Sequence, residues 1–182
     1  MRENESALEP QGRISMNQWV LVLCQSVLLV GIAAASDLPD HARTPGAANP
    51  NVTQANINKT ICVPNWTTTV RPSTSYTEKL KEQQIEEYGY PDHDPTHYEE
   101  DHLISLQLGG HPTDPKNLWP EPYWLKCGAR IKDVLESRLK RNVCAGKMTL
   151  KQAQKAIANN WIKAYHTYVN AEGCPEWSGD EQ

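Results

Sequence analysis

The residues best suited to chemistry lie between Tyr98 and Pro122. Asp101 and His102 are adjacent, and Asn117 follows after a Gly-Gly pair and a polar loop. A histidine can accept a proton near neutral pH, and a carboxylate can hold a divalent metal ion that neutralises phosphate charge. These residue types in this order are therefore suited to the hydrolysis of a phosphodiester bond.

The adjacency of Asp101 and His102 also sets a geometric requirement. Neighbouring residues on a regular strand point to opposite faces of a sheet. Both side chains can face one phosphate only if the strand ends, twists or bulges at this point. The hypothesis of a shared site therefore depends on an irregular strand.

The elements that must position these residues are two predicted strands. Apolar residues at alternate positions predict a strand from His97 to Leu108, and Gly109-Gly110 is a turn signal. Residues 117–119 could return as a second strand. Pro120 and Pro122 would prevent that strand from running on as a central one.

Three helices are predicted around the strands. A capping box of Ser75 and Glu78 begins the first helix, and Gly89 ends it. Apolar residues every four positions predict a second helix over 128–143, and another capping box begins the third at Thr149. The order helix, strand, loop, strand, helix, helix predicts a small α+β domain.

The N-terminal region has a different character from the rest of the chain. Residues 18–35 are mostly apolar, carry no charge and end in small residues, which is typical of a cleaved signal peptide. The alternative is a membrane anchor formed by residues 18–35. Along the chain we expect a signal peptide or membrane segment over 1–35, a flexible linker over 36–60, a folded domain over 61–174 and an acidic tail over 175–182. Met16 is an alternative start to Met1.

Cysteine count and charge narrow the class of protein. Four cysteines would remain after cleavage, which suggests two disulfides in an exported chain: Cys62, Cys127, Cys144 and Cys174. Spacing does not choose among their three pairings, and the absence of a Cys-x-x-Cys pair argues against a zinc knuckle. From Asp37 onwards the chain has 16 basic and 19 acidic residues, a net charge of −3. This balance excludes a strongly basic nucleic-acid coat and favours transient binding.

Two groups of residues on the predicted helices have competing interpretations. The second helix has a basic side, which is either a solvated face or a phosphate track: Lys132, Arg138, Lys140 and Arg141. The large aromatic residues of the third helix, together with Trp119, are assigned to the core rather than to a base-stacking platform.

The motif Asp-His-Leu-Ile-x-Leu-x-Leu-Gly-Gly, followed by Asn-Leu-Trp-Pro, resembles the HNH endonucleases, the ββα-metal or His-Me finger group. The resemblance is closest to small exported bacterial proteins described as HNH-like. It covers about residues 61–168 and rests on four segments: Ile61–Pro64, Tyr98–His102, Lys132–Glu136 and Thr149–Trp161.

The resemblance implies roles for individual residues. His102 would be the general base, Asp101 the first metal ligand, and Asn117 the residue that pins the loop and orients the base. Gly109-Gly110 would form the tight turn between the strands. The family completes its metal site with a His or Asn early in the next helix, and this chain has neither there. Two carboxylates are available instead: Asp133 and Glu136.

Oxygen ligands would favour Mg²⁺ or Mn²⁺ over Zn²⁺. The resemblance also implies that Cys62 pairs with Cys144 and Cys127 with Cys174. The expected function is an exported, metal-dependent HNH-type nuclease acting on DNA or RNA as a transient substrate, with no stable protein partner inferred. The expected location is secreted or periplasmic, with no membrane contact after signal cleavage. The alternative is a non-catalytic exported binding or structural module that retains an HNH-like fold.

Overall fold

The computed structural model of the protein describes residues 36–175. Within this range three α-helices surround a two-stranded antiparallel sheet, joined by short 3₁₀ turns. In chain order the elements are α1 (Thr74–Tyr88), β1 (Tyr98–His102), β2 (Leu118–Pro122), α2 (Ala129–Cys144) and α3 (Leu150–Tyr168). The predicted α+β class is confirmed. The predicted signal segment and the tail from residue 176 lie outside the described residues. None of the described helices is long and apolar enough to cross a membrane.

β2 runs through both of its prolines without losing a ladder bond. The bonds Tyr123 N–H to His97 O and Leu103 N–H to Asn117 O frame the strand pair, so hydrogen-bonded pairs fall at odd-numbered residues. The two prolines, Pro120 and Pro122, lie at the even-numbered positions between these hydrogen-bonded pairs. There the missing N–H would have pointed away from the partner strand.

β1 is shorter than predicted, because the chain leaves the ladder after His102. Asn117 takes over as the partner of the next segment: its Oδ1 accepts from Ile104 N–H and its Nδ2 donates to Ile104 O. The two glycines do not form a tight hairpin turn. Gly109 adopts φ +69° after a 3₁₀ turn, and a Cβ on Gly110 would lie 1.6 Å from Ile104 O. Residues 103–117 thus form a long, folded connection.

The predicted flexible linker is wrong for residues 36–60, which belong to the folded unit. Ala48 pairs with Gly110 in an isolated β-bridge, and Thr44 donates to Leu118 O at 3.1 Å. Val52 and Ile57 are buried. This segment is held mainly by backbone pairing with the 103–117 connection, which composition does not reveal.

Helix boundaries follow the sequence signals with one exception. α3 begins with the predicted capping box at Thr149, and α1 ends at Gly89 in the left-handed conformation. The predicted capping box at Ser75 is wrong, because Ser73 is the N-cap of α1. Glu78 instead pairs with Lys81, one turn further along the helix.

Two disulfides crosslink the ends of α2 to the rest of the fold. Cys62 pairs with Cys144, which is the last residue of α2. Cys127, which lies just before α2 begins, pairs with Cys174. The pairing implied by the family resemblance is thus confirmed. Each bridge closes a long loop, which destabilises the unfolded chain. One bridge ties the end of α2 to the segment before α1, and the other ties the start of α2 to the segment after α3.

Candidate functional site

The strand pair separates the two residues that the sequence places side by side. Residues opposite each other in an antiparallel pair share a face, so Glu99, Asp101 and Glu121 lie on one face of the sheet. Glu100 and His102 lie on the other. The strand is regular at this point, and the expectation that Asp101 and His102 face one phosphate is therefore not met.

The Asp101 face is built around a buried lysine. Lys132 of α2 has no exposed surface, and its ammonium is ion-paired with the Asp101 carboxylate. The same Nζ donates to His102 O at 2.9 Å and to Glu136 Oε1 at 2.6 Å. Ser105 completes the cluster by donating to Glu136 Oε2 at 2.6 Å. The Lys132 cluster, defined as Asp101, Ser105, Lys132 and Glu136, thus joins β1, the 103–117 connection and α2.

Burial and contact between opposite charges have opposing effects on the ionisation of this cluster. Burial disfavours the ammonium, but the carboxylates of Asp101 and Glu136 hold the pKa of Lys132 well above its usual range. Burial likewise opposes ionisation of Asp101, yet the neighbouring Lys132 lowers the pKa of this carboxyl. Burial raises the pKa of Glu121 well above its usual range, so Glu121 is neutral. The Lys132 ammonium therefore faces the ionised carboxylate of Asp101 and the carboxyl of Glu136, whose pKa is raised to about 7 by burial.

The residues predicted to hold a metal do not fit a metal centre. The ammonium of Lys132 occupies the position between Asp101 and Glu136 at which a cation would bind. Asp133 is exposed and has no hydrogen bond to this cluster. Nowhere in residues 36–175 are three His, Cys, Asp or Glu side chains grouped so that they could hold a metal ion. No chemical step is therefore assigned to Mg²⁺ or Mn²⁺ at Asp101, Asp133 and Glu136.

His102 is held in the orientation that a general base requires. Its Nε2 lies 2.9 Å from Pro112 O, and because a carbonyl only accepts, Nε2 must carry the proton. Burial lowers the pKa of His102, so the ring is neutral at pH 7. Nδ1 has no hydrogen-bond partner within the described part of the chain and is left to accept a proton.

Asn117 fixes the connection that supplies this carbonyl. The fully buried amide makes four bonds: Oδ1 accepts from the N–H groups of Ala47 and Ile104, and Nδ2 donates to Ile104 O and His111 O. His111 precedes Pro112, whose carbonyl orients His102. The predicted role of Asn117 in pinning the loop agrees with these contacts.

His102 lines a cleft of about 200 Å³ beside β1 and α1. The cleft also contains a residue that sequence analysis missed, Arg71, which is exposed and makes no ion pair with any residue from 36 to 175. The positive charge of Arg71 disfavours protonation of His102 and so contributes to the lowered pKa of that ring. Arg71 lies outside the motif between Tyr98 and Pro122. In the sequence it is distinguished only by its position just before α1.

Glu100 is a buried carboxyl on the His102 face. Neither of its oxygens has a hydrogen-bond partner among the described residues. Burial, followed by the negative charge of Asp101, raises the pKa of Glu100 to about 9. Glu100 is therefore neutral at pH 7, and the cleft carries less negative charge than its sequence suggests.

This raised pKa predicts that stability falls as the pH rises from about 4.5 to about 9. In that interval the folded Glu100 keeps a proton that the unfolded chain has lost, so raising the pH favours unfolding. The variant Glu100→Gln should match the parent near pH 5 and be more stable than the parent at pH 9. The expected gain is on the order of several kcal/mol, because each unit by which the folded pKa exceeds the unfolded pKa is worth about 1.4 kcal/mol.

Urea denaturation at pH 5 and pH 9 measures this difference. Glu82→Gln is the matched control, because Glu82 lies on the exposed surface of α1. Equal stability of Glu100→Gln and the parent at pH 9 would contradict a buried neutral carboxyl.

In comparisons with protein-family models, with curated proteins and with solved structures, none matches this chain.

Proposed function

We propose that the protein is a nuclease with an HNH-like strand pair that hydrolyses phosphodiester bonds in DNA or RNA. The observation that carries the proposal is that His102 and Arg71 line the same cleft. His102 supplies a neutral base with a free nitrogen, and Arg71 supplies a cation with no ion-pair partner in the described residues. Together they match the two needs of an attack by water on a phosphate.

The proposed reaction begins with a phosphodiester held by the Arg71 guanidinium, whose planar donors fit phosphate oxygens. His102 Nδ1 removes a proton from water as the water oxygen bonds to phosphorus. The bond from phosphorus to the leaving oxygen breaks, and that oxygen takes up a proton from solvent water. His102 then returns its proton to solvent. Arg71 stabilises the negative charge that builds on the phosphate oxygens.

The charges around the cleft are compatible with a phosphate. Three acidic residues line the cleft with Arg71, and none of them forms an ion pair with it. Glu78 is paired with Lys81 at 3.0 Å, and Glu100 is neutral. Burial raises the pKa of Glu99 to about 7, so this carboxyl is about half protonated at pH 7. The chain as a whole has a net charge of −4, which agrees with transient rather than stable binding of nucleic acid.

We also propose that the protein is exported, either as a secreted or periplasmic chain or anchored by residues 18–35. The two disulfides support this location, because such bonds persist in oxidising compartments.

The proposal is tested by incubating the oxidised chain with plasmid DNA and with RNA. Each substrate is assayed with Mg²⁺, with Mn²⁺ and with EDTA. Arg71→Met should lower kcat/KM by about 10- to 100-fold, as expected when a charged contact to phosphate is removed. Lys151→Met, at an exposed position of α3, is the control and should cleave like the parent. Loss of activity in both variants alike would remove the special role of Arg71.

The second candidate is a non-catalytic exported binding or structural module. It is favoured by the Lys132 ammonium, which occupies the expected metal position and gives Asp101 and Glu136 a structural role. Absence of cleavage under every metal condition, with nucleic-acid binding retained or absent, would favour this candidate.

A further inference from the structure

Two aromatic residues are exposed directly after β2. Tyr123 is 40% exposed and Trp124 is 46% exposed. By contrast, Trp119 and Trp161 are completely buried, as expected for core residues. An adjacent Tyr-Trp pair on the surface is therefore not explained by packing of the core.

The exposed pair is continuous with the cleft of the proposed nuclease. Tyr123 lines this cleft together with His102 and Arg71. Tyr123 also lines a second, small hollow together with Lys126 and Arg130. An exposed aromatic side chain and the Arg71 guanidinium therefore line the same cleft, in which the scissile phosphate is proposed to bind.

Trp124 is held in one orientation even though it is exposed. Its ring lies edge-on to Tyr98, with centroids 5.0 Å apart and planes at 76°. It also lies edge-on to His97, at 5.9 Å and 79°. These contacts limit the motion of the indole before any ligand binds, which lowers the entropy lost on stacking.

We propose that Tyr123 and Trp124 form a stacking subsite for an unpaired nucleobase, which makes single-stranded nucleic acid the preferred substrate class. Aromatic side chains beside positive charge are the usual means of binding single strands, because every base has a face that can stack. A base inside a duplex is already stacked on its neighbours and cannot offer that face. The position of the subsite next to the scissile phosphate rests on the proposed function, whereas the binding of the base does not.

Binding is tested in a His102→Ala background, so that cleavage cannot deplete the ligand. Fluorescence anisotropy of labelled single-stranded and duplex oligonucleotides of equal length gives the two dissociation constants. Trp124→Ala and Tyr123→Ala should each weaken single-strand binding by about 5- to 150-fold and change duplex binding much less. Trp124→Phe should retain most of the affinity, and Trp124→Leu should not.

Val134→Ala is the matched control, because Val134 is an equally exposed apolar residue on α2. It should bind like the background variant, and thermal unfolding confirms that all variants are folded. Unchanged single-strand affinity in Trp124→Ala and Tyr123→Ala, or an equal loss for duplex, would overturn the stacking subsite. If single-strand binding depends on Trp124 but the parent cleaves nothing, the subsite stands and the nuclease proposal fails.

Discussion

Replacing Lys132 with methionine is expected to lower the free energy of unfolding by about 3 to 5 kcal/mol. Methionine fills a similar volume but removes the ammonium that bonds to Asp101, Glu136 and the His102 carbonyl. The carboxylate of Asp101 would then be buried without a cation, and a carbonyl of β1 would lose its donor. Urea denaturation at pH 7, with the disulfides intact, measures the change.

Two variants show whether the loss comes from unpaired charge. Lys155→Met removes an exposed lysine of α3 and should change stability by less than about 0.5 kcal/mol. The combined variant Asp101→Asn, Lys132→Met and Glu136→Gln has no charge left in the cluster and should recover part of the lost stability. If Lys132→Met is as stable as the parent, Lys132 does not hold the cluster together.

Replacing His102 with alanine is expected to lower the rate of phosphodiester cleavage by about 10²- to 10⁴-fold, the usual contribution of a general base. The alanine variant lacks the nitrogen that accepts a proton from water. Because burial lowers the pKa of His102, the parent should keep its activity as the pH falls to 6.5 and lose it only below that value. Single-turnover cleavage from pH 5 to pH 8 measures both effects.

The control for His102→Ala is His93→Ala. His93 is exposed and bonds to Glu86 at 2.6 Å, away from the cleft. Its replacement should leave cleavage and its pH dependence unchanged. A folded His102→Ala variant that cleaves at the parent rate would remove His102 from the reaction.

Local signals were enough to predict most of the regular structure. Three of these signals act within a few residues and can be identified directly in the sequence: the capping box at Thr149, the apolar repeat of α2 and the left-handed Gly89. The strand containing Asp101 and His102 was also predicted, although it ends sooner than the apolar alternation suggested. Its early end depends on Asn117, which lies 15 residues further along the chain.

The folded state of residues 36–60 could not be predicted in this way. Their composition is typical of a linker, since it offers few apolar side chains and no periodicity. Their stability comes from backbone bonds to residues about 60 positions later, such as Asn49 N–H to Gly109 O at 2.8 Å. Pairing at such separation depends on the whole fold and leaves no local pattern.

The sequence alone was therefore sufficient to locate the residues suited to catalysis and the helices around them. The tertiary structure determined which side chains these residues contact. In the sequence, Lys132 is one of several cations on an amphipathic helix, and Asp101 is a natural metal ligand. The packing of α2 on the sheet brings the Lys132 ammonium to Asp101 and Glu136, where a metal was expected. The alternation of β1 turns His102 to the opposite face, towards Arg71. Both outcomes depend on how separate elements pack together, which residue types and spacing do not specify.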